Sequence, residues 1–209
     1  MDNLNSANRY LVFIEFIWFL LNSFMNYTED HILEFFQTHE SLITHNIVAH
    51  THFRPCGYSQ ARIDRMGDMA RRSLRYALSC FGKTLYKGHS NWIVRKPDKY
   101  RPLTLVTIEN LKETTDPEQT IHFNISLGNL PKHLSTTYIE ILFRHAWHVK
   151  AKQSNDIYLT HVNDYPATER KWHGYILKDA AKDRKLAWTT NGTWDVLNCW
   201  IPHNAANTD

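Results

Sequence analysis

Residues Thr120 to Leu127 alternate strictly between polar and apolar side chains, and this segment constrains the fold of the 209-residue chain more than any other. Because successive side chains of a β-strand point to opposite faces, the alternation predicts a strand with one face towards the core. The core face would carry four large apolar residues: Ile121, Phe123, Ile125 and Leu127. The other face would form an organised polar surface of four residues: Thr120, His122, Asn124 and Ser126.

The remaining patterns place helices and further strands around this strand. Leu103–Asn110 and Ile157–Val162 have the composition of strands. Helices are predicted over residues 27–48, 60–82 and 169–183, and a fourth begins at a T-x-x-E capping box of Thr137 and Glu140. The order indicates an α+β fold with helices packed on a central antiparallel sheet. We divide the chain into a helical N-terminal extension with its connector (1–59) and the sheet domain (60–209).

The positive charge of the chain is concentrated between Arg54 and Arg101. This stretch holds twelve lysine and arginine residues against three aspartates, whereas the whole chain has a formal net charge of only +3. Such an asymmetry indicates an anionic partner. Four arginines of the predicted helix over 60–82 are candidate contacts to DNA phosphates: Arg65, Arg71, Arg72 and Arg75. The alternative is an ordinary solvated helix face.

One apolar run, over residues 10–25, resembles a membrane segment, but it is short and Glu15 interrupts it. We expect a buried or partner-facing helix there and no stable membrane association, with Met25 as an alternative start of the chain. A membrane-associated or protein-binding role for this run is the competing interpretation. The three cysteines are widely spaced and form no CxxC pair, which is typical of the reduced thiols of a cytoplasmic protein.

The polar face of the strand around His122 is a candidate metal site. His122 and Asn124 lie two positions apart on one face, and Glu109 would join them if the strand over 103–110 is adjacent. Imidazole, amide and carboxylate ligands suit a divalent cation, Mg²⁺ or Mn²⁺. The alternative is a solvated strand face with an incidental histidine. Two other histidine pairs, His50/His52 and His145/His148, lack an evident third ligand.

The last predicted helix offers a nucleophile. Tyr175, Lys178 and Lys182 lie at i, i+3 and i+7, and therefore on one face. The phenol of tyrosine ionises near pH 10, so a nearby lysine ammonium would favour the phenolate and could also hold a phosphate. The alternative is an amphipathic helix with a half-buried tyrosine and solvated lysines.

Three blocks of sequence carry a resemblance to a known family: Leu103–Asn110 (LTLVTIEN), Ile121–Pro131 (IHFNISLGNLP) and Trp172–Lys178 (WHGYILK). In this order they resemble the motifs of rolling-circle replication initiators of the histidine-hydrophobe-histidine class. The likeness is closer to the YagK/YfjJ group of enterobacterial prophage proteins, a group related to replication proteins of filamentous phages. It covers roughly residues 62–188.

The resemblance implies a sheet-centred endonuclease domain that uses a divalent metal to nick and rejoin one DNA strand. His122 then matches the first metal histidine, Tyr175 the nucleophile and Lys178 the lysine that follows it. Asn124 departs from the pattern, which has a second histidine there. Two functions are therefore expected: a metal-dependent nicking enzyme acting on single-stranded DNA, or a catalytically degenerate protein that only binds DNA.

Overall fold

The computed structural model of the chain describes residues 29–87, 91–164 and 194–202. Its centre is an antiparallel sheet of four strands in the order β2-β3-β1-β4. The strands are Ile43–His50 (β1), Leu103–Glu109 (β2), His122–Gly128 (β3) and Ile157–His161 (β4). Helices pack on this sheet, so the predicted α+β class is confirmed, and β2, β3 and β4 are the three strands that the sequence indicates.

Five described α-helices surround the sheet: Glu29–Thr38 (α1), Gln60–Leu85 (α2), Trp92–Arg95 (α3), Pro97–Tyr100 (α4) and Thr136–Arg144 (α5). A π-helical turn, His145–Lys150, continues α5, and short 3-10 turns occur at Glu40–Leu42, Val162–Asp164 and Val196–Asn198. The predicted helix over 169–183 lies outside the described residues, as do Tyr175, Lys178 and Lys182.

The expectation of one helix over residues 27–48 is wrong in its second half. Helix α1 ends at Thr38, and after the 3-10 turn the chain enters β1 at Ile43. Ile43, Thr44, Ile47 and Val48 are β-branched, and such side chains favour extended backbone. Pairing with β3 on one side and β4 on the other supplies the hydrogen bonds of β1. Residues 43–50 therefore form an inner strand of the sheet rather than part of a helical extension.

One face of the sheet packs against α2 and α5 to form the main core. Phe123, Ile125 and Leu127 of β3 point into it, as the alternation predicts. Helix α2 contributes a stripe of buried residues at helical spacing: Ile63, Ala70, Leu74, Ala77 and Phe81. Fully burying a large apolar side chain contributes about 1.5–3 kcal/mol. This packing fixes which side of α2 faces outwards.

The opposite face of the sheet is polar at β3 but is not the open surface expected from the sequence. Asn124 and Ser126 are fully buried, and His122 is only 9 % exposed. Strand β3 lies between β2 and β1, so neighbouring strands flank it on both sides. Other elements of the chain cover this face over β2. There Phe36 of α1 and Trp194 pack on Leu103 and Leu105 of β2. Buried polar side chains must find partners within the protein, so this face is a polar interior.

Helix α5 begins two residues earlier than the capping box predicts. Ser135 is the N-cap, and its side chain accepts a hydrogen bond from the backbone N–H of Tyr138. Glu140 does not reach back to the cap, because its carboxylate binds Arg144 one turn later, at 2.7 Å. The helix itself is present as expected.

Within the described parts of the chain, no helix is both long and apolar enough to cross a membrane. The apolar run over residues 10–25 lies outside those parts.

Candidate functional site

Strands β2 and β3 bring three predicted site residues together on the polar face of the sheet. Glu109 stands directly opposite His122, and Thr107 stands directly opposite Asn124. The adjacency on which the predicted metal site depended is therefore present. Glu109 is 2 % exposed and Asn124 is fully buried. A carboxylate this deep in a protein needs charged or hydrogen-bonding partners.

His122 is held between two neighbours that define its tautomer. The amide nitrogen of Asn110 lies 3.2 Å from Nδ1, and it also donates to the carbonyl oxygen of Thr120 at 2.7 Å. Because an amide nitrogen can only donate, Nδ1 acts as the acceptor and the ring proton resides on Nε2. The Nε2 atom faces Oε2 of Glu109 at 3.3 Å. Asn110 reaches this position through a left-handed backbone conformation, with φ at 65°.

Asn124 completes the cluster on the other side of the carboxylate. Its amide nitrogen donates to Oε1 of Glu109 at 2.9 Å. The amide oxygen consequently points away from the carboxylate, and it is buried without a hydrogen-bond partner among the described residues. The hydroxyl of Thr107, opposite Asn124, is also buried without a partner there. An unpartnered buried oxygen costs about 1–3 kcal/mol, and such groups often mark a place where another ligand belongs.

His50 joins the cluster from β1, where sequence reasoning had placed it only in a weak pair with His52. Its ring stacks on that of His122, with centroids 4.9 Å apart. Nδ1 of His50 lies 2.7 Å from the hydroxyl of Thr120, and Nε2 lies 3.9 Å from the carboxylate of Asp156. Burial and the neighbouring His122 lower the pKa of His50, and Asp156 only partly offsets them. His50 is therefore held mainly in its neutral form at neutral pH.

The donor set fits a hard divalent cation in part. Two ligands at right angles on an octahedral Mg²⁺ are about 3 Å apart, since each bond is about 2.1 Å long. The 3.3 Å between Nε2 of His122 and Oε2 of Glu109 is close to this value. No three His, Cys, Asp or Glu side chains of the described residues form a metal-ligand group. A cation here would therefore need the amide oxygen of Asn124 as a further ligand, and the amide would have to turn because its nitrogen now faces Glu109.

The open part of this sheet face lies over β1 and β4, beside the buried cluster. Tyr158 of β4 is 62 % exposed, and its ring centroid is 6.4 Å from that of His50. A hydrogen bond to Asp156 raises the pKa of Tyr158. This tyrosine is therefore less suited to act as a nucleophile than to offer an aromatic surface.

The arginines of α2 lie on the other side of the sheet from His122, because α2 packs on the face of Phe123 and Ile125. Arg65, Arg72 and Arg75 are exposed, together with the large side chains of Met69 and Tyr76. Arg71 differs from them. Its side chain is 12 % exposed, and its guanidinium pairs with Asp68 at 3.6 Å and with Asp195 at 4.0 Å. Three of the four predicted contacts thus face solvent, and Arg71 is engaged within the protein.

Comparison of the chain with protein-family models, with curated proteins and with solved structures finds no match.

Proposed function

We propose that this protein binds single-stranded DNA and nicks it through Tyr175, with a divalent cation held by His122, Glu109 and Asn124. The observation that carries the proposal is that Glu109 lies between His122 and Asn124 on adjacent strands, and that the amide oxygen of Asn124, which a turn of the amide would present to a cation, is buried and unpartnered among the described residues. The order of the sequence blocks, which resembles that of rolling-circle initiators, supports the same assignment.

The roles of the residues follow from their chemistry. A bound Mg²⁺ or Mn²⁺ would polarise the scissile phosphodiester and offset the charge that develops on its oxygens. Asn110 holds the ring of His122 so that Nε2 faces the carboxylate, and the amide nitrogen of Asn124 orients Glu109. Lys178 would favour the phenolate of Tyr175. The phenolate oxygen would form a bond to phosphorus, and the departing oxygen would become a hydroxyl on the released fragment.

The open half of the face would bring a single strand to the edge of the cluster, beside His50. Tyr158 presents an aromatic ring beside His50, and bases stack on such rings with a gain of about 1–3 kcal/mol each. The exposed arginines of α2 lie on the opposite side and would bind phosphates of a more distant part of the DNA.

A direct test is to incubate the full chain with single-stranded DNA and Mn²⁺ and to look for a covalent adduct on a denaturing gel. We expect an adduct with the wild type and with Tyr138→Phe, an exposed tyrosine of α5 that serves as the control. Tyr175→Phe should abolish the adduct, and Glu109→Gln should reduce it at least tenfold. An undiminished adduct with Tyr175→Phe would show that another residue is the nucleophile.

The second candidate is a DNA-binding protein without nuclease activity, and one observation favours it. The Glu109 carboxylate is already engaged by His122 on one oxygen and by Asn124 on the other, so the cluster can be stable without a metal. This function predicts DNA binding that weakens steeply with salt and no adduct with any divalent cation. Binding of single-stranded DNA together with a complete lack of adduct would select it.

A further inference from the structure

A cavity of about 310 Å³ lies at the other end of β2 from Glu109. It is formed where the second half of α2 meets α3, the start of β2 and the 3-10 turn Val196–Asn198. Thr104, which lines it, is five residues from Glu109, or about 17 Å along an extended strand. Thr104 also points to the opposite face of the sheet from Glu109. The cavity is therefore separate from the cluster around His122.

The walls of the cavity combine apolar surface with positive charge. The apolar part comes mainly from Leu78, Phe81, Ile93 and Pro102, and Arg75 and Arg101 supply two guanidinium groups. Among the residues that the structure describes, no acidic side chain lines this cavity. Within the described residues, neither guanidinium makes a hydrogen bond or a close ion pair, so both retain donors for an anion, although Arg75 is near enough to the buried Asp195 to offset part of the rise that burial causes in the pKa of that carboxyl. The site thus selects a ligand that is partly apolar and carries negative charge.

Arg101 is oriented by an aromatic neighbour. Its guanidinium lies over the ring of Trp200, 4.2 Å from the centroid. Stacking fixes the guanidinium plane and leaves its N–H edge available, which is the geometry that binds phosphate with two parallel hydrogen bonds. Partial desolvation also lowers the pKa of Arg101, although the residue is exposed overall.

The size of the cavity limits the ligands it can hold. Asn198 is also a wall residue, but its side-chain oxygen is buried and makes no hydrogen bond among the described residues. Ligand cavities commonly start at about 300 Å³, a size that suits a small ligand rather than a folded partner.

We propose that this cavity binds a nucleotide, with the base against the apolar wall and the phosphate on Arg75 and Arg101. The ligand is either a free mononucleotide or the 5′-phosphorylated end of a DNA strand, which present the same chemistry. The site is distinct from the proposed nicking centre, and it adds a function that does not require Tyr175 or a metal.

Calorimetric titration of the full chain with dAMP, deoxyadenosine, inorganic phosphate and 5′-phosphorylated and 5′-hydroxyl oligonucleotides tests the proposal. We expect dAMP to bind at least tenfold more tightly than deoxyadenosine or phosphate. Tighter binding of the phosphorylated oligonucleotide than of dAMP would identify a strand end as the ligand, and the reverse order would identify a free nucleotide. Equal affinity for phosphate and dAMP would overturn the assignment of a base site.

Two variants localise the binding. Arg101→Met removes the charge but keeps a chain that can pack on Trp200, and it should weaken dAMP binding at least tenfold. Ser79→Phe fills the cavity without changing its charge and should have a similar effect. The matched control is Arg95→Met, an exposed arginine of α3 outside the cavity, which should bind dAMP like the wild type.

Unchanged dAMP affinity in both cavity variants would overturn the proposal, and so would the absence of binding by dAMP and by the phosphorylated oligonucleotide. Binding of an acidic, leucine-containing peptide in place of nucleotides would instead assign the cavity to a protein partner. The adduct assay distinguishes a failure of the nucleotide site from a failure of the proposed nicking function. Arg101→Met should still form the adduct, whereas Tyr175→Phe should lose the adduct and keep dAMP binding.

Discussion

Oε2 of Glu109 and Nε2 of His122 lie 3.3 Å apart across the β2–β3 pair, inside the protein rather than on its surface. The contacts of His122 favour a proton on Nε2, so a cation bound at Nε2 would require the ring proton on Nδ1 instead, with the amide of Asn110 turned to accept it. Metal binding and histidine protonation should therefore compete, so affinity should fall as the pH is lowered.

Replacing Glu109 by Gln should remove most of the affinity for Mn²⁺, because the carboxylate between His122 and Asn124 is lost. We expect at least a tenfold increase in Kd, measured by calorimetry or by the paramagnetic resonance of free Mn²⁺. Glu113→Gln, an exposed glutamate in the following loop, is the matched control and should leave the affinity unchanged. Equal Kd values for the wild type and Glu109→Gln would place the metal elsewhere.

Asn124→Asp should destabilise the protein at neutral pH and make its free energy of unfolding depend on a bound cation. The new carboxylate would replace an amide nitrogen that donates to Glu109 at 2.9 Å, so two negative charges would adjoin in a buried site. We expect a loss of about 3 kcal/mol in the free energy of unfolding at pH 7. The loss should be smaller at pH 5, where the pair can share a proton, and Mn²⁺ should restore stability.

Urea denaturation with and without Mn²⁺ measures both effects. Asn91→Asp, which adds the same charge at an exposed position, should change the free energy of unfolding by no more than about 0.5 kcal/mol. If Asn124→Asp is as stable as the wild type at pH 7 without metal, the two side chains do not adjoin as described.

His45 should make the fold sensitive to acid. Burial, with a smaller effect of His161, lowers the pKa of His45 from 6.5 to about 4, and Asp164 opposes the shift. The unfolded chain therefore binds a proton at this residue between pH 6.5 and 4 that the folded chain does not bind. Stability is lost as the pH falls through this window, by up to about 3 kcal/mol, since each pKa unit corresponds to about 1.4 kcal/mol.

The contribution is measured by urea denaturation at pH 7 and pH 4.5. The wild type should lose about 2 kcal/mol more than His45→Gln between these two values. His133→Gln, an exposed histidine, should lose as much as the wild type. The same pH dependence in His45→Gln and the wild type would exclude His45 as the source.

Arg71 and Arg72 are neighbours in sequence that should give opposite phenotypes. Arg71→Ala removes a cation paired with the buried Asp195 and should lower the free energy of unfolding by about 3 kcal/mol. Arg72→Ala should leave stability within about 0.5 kcal/mol of the wild type. If α2 binds DNA, Arg72→Ala should also reduce the salt slope of binding by about one. An unaltered slope would remove Arg72 from the proposed contacts.

The fold was predictable from sequence where local pattern and tertiary role coincide. In β3 the alternation matches the core face, and the stripe of α2 matches its packing on the sheet. In β1 the local pattern does not reveal the strand, because both faces of β1 carry buried residues and no polar-apolar alternation results. In addition, no glycine or proline separates β1 from the helical pattern that contains Phe35 and Phe36. The β-branched residues from Ile43 to Val48 were the available signal for a strand.

The candidate site was predictable only within adjacent strands. His122 and Asn124 share a face by local geometry, and Glu109 follows from the pairing of β2 with β3, which are close in the chain. His50 was missed because it is 70 residues from Thr120, its hydrogen-bond partner, and nothing local indicates that pairing. The burial of Arg71 was missed for the same reason, since Asp195 is distant in sequence.

The inner position of β1 has a consequence for the biosynthesis of the protein. β1 emerges from the ribosome first, yet both of its partners, β3 and β4, are made much later. The central pair of the sheet, β1 with β3, therefore cannot form until translation has passed Gly128. The sheet is complete only after β4 has been synthesised. Deleting residues 43–50 would not trim an edge of the sheet. It would split the sheet into the β2–β3 hairpin and a lone β4, and it would remove the ring that stacks on His122.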